Sequence, residues 1–146
     1  MIALVVYDSL HGNTEKIARA VAGALGPDAQ AVRAGQADPA AVVAASLVVL
    51  GAPTHGGRPS QAMQDFLARV PESAWRGKRV AVFDTRVPAK WVRIFGFAAP
   101  RMARRVQKMG ATLAAPPEGF FVSATEGPLL AGEEERAAAW ARGIVG

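Results

Sequence analysis

The sequence predicts an α/β fold: a doubly wound open sheet of parallel strands with helices on both faces. Two observations lead there. Residues 2–7, 46–51 and 79–84 are short β-rich runs that are apolar at consecutive positions, as in strands covered on both sides. Between them lie stretches with apolar residues at helical spacing, so strand and helix alternate along the chain. No repeat, linker or low-complexity tract interrupts the 146 residues, so a single domain over 1–146 is expected. A chain of this size buries about 70% of its unfolded surface, enough for a full core.

The elements follow in order. After the strand at 2–7, residues 13–25 place Ile17, Val21 and Leu25 on one face, and Gly26-Pro27 stops the helix. A weaker strand is expected within 29–34. Asp38-Pro39 reads as an N-cap with proline at the first helical position, opening a short helix to about Ala45. The strand at 46–51 is followed by a helix opened by Pro59, with Met63, Phe66, Leu67 and Val70 inward. After the strand at 79–84, residues 97–109 carry an inner stripe of Met102, Val106 and Met109. A last strand is expected within 112–123, interrupted or ended by Pro116-Pro117, and a last helix at 133–145. Right-handed crossovers in such a sheet put the ligand site at the carboxyl ends of the strands.

Composition narrows the function. Hydrophobic residues make up 51% and charged residues 20%, which excludes a disordered chain. Cysteine is absent, which excludes disulfides, thiolate catalysis, iron–sulfur clusters and zinc sites built on sulfur. Two histidines are too few for a typical zinc site without cysteine. The longest weakly polar stretch, residues 40–53, falls short of the roughly 20 residues that span a bilayer. No basic residue precedes the first apolar run, so no secretory signal is expected and a cytoplasmic location is.

The net charge of +5 is unevenly placed. Residues 1–75 carry −1, residues 76–108 carry +9 with Asp84 their single acid, and residues 109–146 carry −3. Within the basic third, Arg101, Arg104, Arg105 and Lys108 fall on one helix face. That face is either a solvated surface or a docking site for an acidic partner, an anionic membrane or a charged substrate. No nucleic-acid reading motif accompanies it.

The first strand–helix junction carries the sharpest chemistry: Tyr7-Asp8-Ser9-Leu10-His11-Gly12-Asn13-Thr14-Glu15. A buried strand turns directly into an amphipathic helix, whose unpaired N–H groups and positive dipole end attract anions. Ser9 and Thr14 add hydroxyls, Asn13 an amide, and Gly12 a close backbone approach. Neither a Walker A loop nor a GxGxxG dinucleotide turn is present. A lysine-free, hydroxyl-bearing loop suits a phosphate monoester held by dipoles. Ordinary capping of orphan N–H groups by the same side chains is the alternative. Two further loops lie at the same end of the sheet. Residues 51–60 contain His55 and the pair Gly56-Gly57, and residues 85–96 contain Trp91; both rings can stack on a planar ligand.

With these residues in view, the chain resembles the flavodoxins over essentially its whole length, in their short-chain form. The family's phosphate signature, hydroxyl–x–hydroxyl–Gly-Asn-Thr, is matched by Ser9, Gly12, Asn13 and Thr14. Its second loop, Gly-x-Pro-Thr-aromatic-Gly, is matched by Gly51, Pro53, Thr54, His55 and Gly56. The resemblance implies a five-stranded sheet of order 2-1-3-4-5 that binds FMN. Its phosphate would lie on Ser9, Leu10, His11, Gly12, Asn13 and Thr14. Its ring would lie between Pro53, Thr54, His55, Gly56 and Gly57 on one side and Thr85, Arg86 and Trp91 on the other. Three departures stand out: His11 replaces a hydroxyl residue, His55 replaces the usual Trp or Tyr, and the third loop lacks the usual Asp and Tyr.

The implied function is electron transfer, with an acidic redox protein docking near Arg101, Arg104, Arg105 and Lys108, and peripheral membrane contact as a further option. Two alternatives remain open. One is an FMN-dependent oxidoreductase of the quinone- or protoporphyrinogen-dehydrogenase style, although the insertion common in those enzymes is missing. The other is a flavin-free interaction module using the basic face. Arg86, Lys90 and Arg93 sit in or just after the third loop. A cation about 8 Å from the ring, at an effective dielectric of about 20, favours the reduced anionic flavin by about 2 kcal/mol.

Overall fold

A computed structural model describes residues 2–54, 57–88 and 96–145. Strand β1 (Ala3–Tyr7) leads to α1 (Asn13–Leu25), β2 (Gln30–Arg33), a 3-10 turn (Ala34–Gln36) and α2 (Pro39–Ala44). Then come β3 (Leu47–Pro53), α3 (Gln61–Arg69), α4 (Glu72–Trp75), β4 (Arg79–Arg86) and α5 (Ala98–Lys108). The chain closes with β5 (Thr112–Leu113), β6 (Glu118–Phe121) and α6 (Glu133–Val145). The strands pair in parallel in the order β2-β1-β3-β4-β5, with β6 also on β4.

The expected fifth strand is therefore one row in two pieces, and the sheet has six strands. Arg79 and Val80 of β4 face β5, whereas Phe83 to Arg86 face β6. The gap holds Pro116-Pro117, which has no N–H to give to a ladder. A second difference concerns strand ends. Both β3 and β4 run two residues past their expected limits, and the register continues to Pro53↔Thr85. Pro53, Thr85 and Arg86 thus close strands. The turn at Ala34–Gln36 and the single-turn helix α4 had no clear signal in the sequence.

Consecutive apolar residues serve two cores because successive strand side chains point to opposite faces. Leu4, Val6, Val48, Leu50, Val80 and Val82 pack with Met63, Phe66, Met102 and Val106 on the side of α3 and α5. Ala3, Val5, Val49, Ala81 and Phe83 pack with Ile17, Val21, Ala141 and Ile144 on the side of α1 and α6. Each fully buried Val, Leu, Ile, Phe or Met contributes about 1.5–3 kcal/mol. Helix α2 begins as its sequence dictates: Pro39 opens it and Asp38 Oδ1 accepts the Ala40 N–H at 2.9 Å.

Gly51 shows how tightly the second core is fitted. A Cβ there would lie 2.0 Å from Cζ of Phe83. That ring sits edge-on to Phe120 and Trp140, with centroids 5.8 and 6.1 Å away. Only a residue without a side chain leaves room for the tip of the Phe83 ring at this point of β3. Among the described residues, no helix is long and apolar enough to cross a membrane.

Candidate functional site

The chain leaves β1 for β2 on one side while β3 lies on the other, so the β1/β3 boundary is the switch point of this sheet. A cleft opens there. Ser9, Leu10, His11, Asn13 and Thr14 line it from the first turn, and Pro53, Thr54, Thr85 and Arg86 line it from the ends of β3 and β4. Leu10 is 61% exposed at its mouth.

The start of α1 faces this cleft. Gly12, the N-cap residue, has φ +89°, a left-handed conformation natural to glycine. The first intrahelical bond is Lys16 N–H to the Gly12 carbonyl at 3.1 Å, so the N–H groups of Asn13, Thr14 and Glu15 have no carbonyl partner within the helix. The polar side chains nearby are engaged elsewhere. Ser9 Oγ accepts the Gly12 N–H at 3.0 Å. Asn13 Nδ2 donates to the Glu126 carbonyl at 3.1 Å. The Thr14 and Thr85 hydroxyls share a buried bond of 2.8 Å. Among the described residues, then, no side chain caps the first turn of α1. Asn13, expected to offer its amide to an anion, tethers the final loop, while its backbone N–H stays at the helix start.

Charge around this terminus is also arranged. Glu15, the acid of the first turn, bonds Arg19 and, through its other oxygen, Arg33, both at 2.8 Å. Arg19, then Arg33, hold its carboxyl below the usual range. The Arg33 guanidinium also reaches the Ser9 carbonyl at 3.3 Å. Negative charge beside the N-terminus is thereby matched by two cations.

A second network closes the other side of the cleft. Asp84 is fully buried, and Arg86 forks onto it with two contacts of 2.7 Å. Asp84 Oδ2 also accepts the Ala99 N–H at 2.9 Å, and Thr54 Oγ1 accepts the Ala98 N–H at 3.2 Å. Burial pushes the Asp84 carboxyl up, opposed by Arg86, the Ala99 amide and the Thr54 hydroxyl. The Arg86 guanidinium lies 3.6 Å from the centroid of the Phe97 ring. Two acceptors thus fix the start of α5 to the ends of β3 and β4. Arg86 lines the cleft with its charge paired to Asp84, so it is not the free cation that the sequence suggested.

Of the other expected site residues, Gly57 is buried with φ +79°, and His11 is exposed. His55, Gly56 and Trp91, with Lys90 and Arg93, lie outside the described residues. Arg104, Arg105 and Lys108 are exposed on α5 as expected. Sequence reasoning missed Val87, Val122 and Thr125, which also line the cleft. It also missed the Asp84–Arg86 pair, for which the lone acid of a basic third was the available signal.

Fold and cleft define a class: doubly wound α/β proteins with an uncapped helix terminus facing a cleft at the switch point. The sequence profile of the Flavodoxin family matches residues 5–140, and the chain belongs to that family. Among solved structures, a flavodoxin from the domain Archaea is 20% identical, with 99% of this chain and 96% of that one covered and a TM-score of 0.83. Flavodoxin 2 of Bacillus cereus is 24% identical over 99% and 98% of the two chains, with a TM-score of 0.79. The two-electron reduced flavodoxin of Megasphaera elsdenii is 23% identical over 97% and 98%, with a TM-score of 0.74. These likenesses establish the shared fold. No protein of curated function matches the chain.

Proposed function

We propose that this chain is an FMN-binding electron-transfer protein, a single flavodoxin-like domain over residues 1–146. One observation carries the reading: the first turn of α1 is left uncapped in a cleft at the switch point, while Ser9, Asn13 and Thr14 are occupied elsewhere. The phosphate of FMN fits that arrangement. Its oxygens would accept from the N–H groups of Asn13, Thr14 and Glu15, aided by the helix dipole. The Ser9 hydroxyl is spent as an acceptor toward Gly12 and keeps its own proton to donate. Pairing of Glu15 with Arg19 and Arg33 offsets the negative charge that would otherwise repel a dianion. Pro53 and Thr54, with His55, Gly56, Gly57, Thr85, Arg86 and Trp91, would enclose the ring, and Leu10 stays with the first turn.

When bound, FMN supplies one- and two-electron transfer. The chain's own residues bind and orient it and keep water from one edge, and none need act as acid or base. Electrons would pass to or from an acidic redox protein at the basic face of α5, in the cytoplasm. Titration with FMN under fluorescence tests the reading. Quenching of flavin emission at a one-to-one ratio, with an absorbance band near 450 nm retained after gel filtration, is expected. Undiminished emission at micromolar protein would overturn it.

A further inference from the structure

A second cleft lies between α3 and α5, at the end of the sheet that carries the FMN site proposed above. It measures about 250 Å³, and its polar walls carry three guanidiniums: Arg58 just before α3, and Arg101 and Arg105 on successive turns of α5. The buried side chains of Leu67 and Met102 form its apolar base. The wall bearing Arg58 is fixed, because Gln64 Nε2 on α3 donates to the Pro59 carbonyl at 2.9 Å.

Two of the three charges in this cleft have no counter-charge among the described residues: Arg58 and Arg105 form no ion pair there. Residues 76–108 hold a single acid, and Arg86 occupies it. Asp65, on α3, accepts from the neutral Gln61 amide at 2.8 Å and forms no ion pair among the described residues. Converging like charges cost stability unless something outside the chain meets them. Guanidinium forks suit carboxylates, which they bind with two parallel bonds.

We propose that this cleft anchors the docking surface, receiving side-chain carboxylates of an acidic redox protein between Arg58, Arg101 and Arg105. Arg104 and Lys108, exposed on the same helix but outside the cleft, only steer the partner in. The proposal rests on the electron-transfer reading and deepens it. Arg58 follows Gly57 directly, so a partner held there lies beside the loop assigned to the ring.

The test uses the full chain, with FMN added and without it, and fluorescein-labelled octaglutamate as the acidic probe, at low ionic strength, by anisotropy and stopped flow. Arg58→Gln and Arg105→Gln should each weaken binding about tenfold through faster dissociation. Arg104→Gln and Lys108→Gln should weaken it about twofold, through slower association. Equal losses in all four variants, or no binding of the peptide to the wild type, would overturn the proposal. So would citrate or phosphate competing at the concentration of the peptide, which would mark a small-anion site. Stronger Arg58-dependent binding to anionic phospholipid vesicles than to the peptide would assign the cleft to a membrane and overturn it as well. FMN titrations of the same proteins separate the two claims. If the peptide pattern holds without FMN binding, the electron-transfer reading fails and the cleft stands. If FMN binds and the pattern is absent, only the cleft fails.

Discussion

One methyl group added at Gly51 probes the packing beneath the cleft. In Gly51→Ala the new Cβ would sit 2.0 Å from Cζ of Phe83 and 2.4 and 2.5 Å from its two Cε atoms. Carbon contacts settle near 3.5–4.0 Å, so the ring must retreat by about 1.5 Å. It has little room, being fully buried and held edge-on by Phe120 and Trp140. Overpacking of this kind costs about 1–3 kcal/mol, and disturbing two edge-to-face pairs adds part of their roughly 0.5–1.5 kcal/mol each. The expected loss is about 2–4 kcal/mol in urea unfolding monitored by circular dichroism, with an unchanged slope. Combining Gly51→Ala with Phe83→Leu should cost less than the sum of the single changes, by about 1 kcal/mol or more. A single-mutant loss under about 0.5 kcal/mol, or strict additivity, would refute the assignment of Gly51 to ring packing.

Two further perturbations test the networks around the site. Asp84→Ala strands the mostly buried Arg86 guanidinium and takes the acceptor from the Ala99 N–H. Urea unfolding should show a loss of about 3–5 kcal/mol, with faster hydrogen exchange at Ala99; a loss under about 1 kcal/mol would contradict the network. Glu133 accepts from the Phe121 N–H and pairs with Arg136, both within 2.8 Å, and Arg136 chiefly holds its carboxyl below the usual range. Its ionised form therefore adds stability that is present above the ordinary carboxylate range and is lost as pH falls through the lowered folded-state value. Glu133→Gln should cost about 1–2 kcal/mol at neutral pH, discounted for the partly exposed Arg136, and the difference should vanish in strong acid. A difference that stays constant with pH would rule out the carboxylate as its source.

How much of this was legible in the sequence depends on what fixed each feature. Helix α1 ends where Gly26-Pro27 says it must, and the stripe of Ile17 and Val21 is buried as its spacing requires. Helix α5 buries Met102 and Val106 for the same reason. Local periodicity and caps decide such features, and they are written in adjacent residues. The split of the last strand was half legible, since Pro116-Pro117 marked the break without saying that pairing resumes at Glu118. The ends of β3 and β4 were not legible, because pairing between Pro53 and Thr85 depends on register with a neighbour rather than on either segment.

The site divides along the same line. The turn from Ser9 to Thr14 stood out because strand, glycine and helix follow one another directly. What the side chains there do was hidden, because their partners are remote: Thr14 meets Thr85, and Asn13 meets Glu126. Gly51 matched a loop motif in the sequence, yet its lack of a side chain serves Phe83, 32 positions along the chain. Arg86 looked like a free cation until Asp84, two residues before it on the same strand, proved to take its charge.

Calorimetric titration of the apoprotein with FMN and, separately, with riboflavin tests the central claim most directly. The two ligands share the ring and differ by the phosphate assigned to the first turn of α1. FMN is expected to bind at one site at least a hundredfold more tightly than riboflavin, an order of magnitude set by two or more charge-assisted hydrogen bonds to the phosphate. Equal affinity for the two, or no heat with either, would contradict the account.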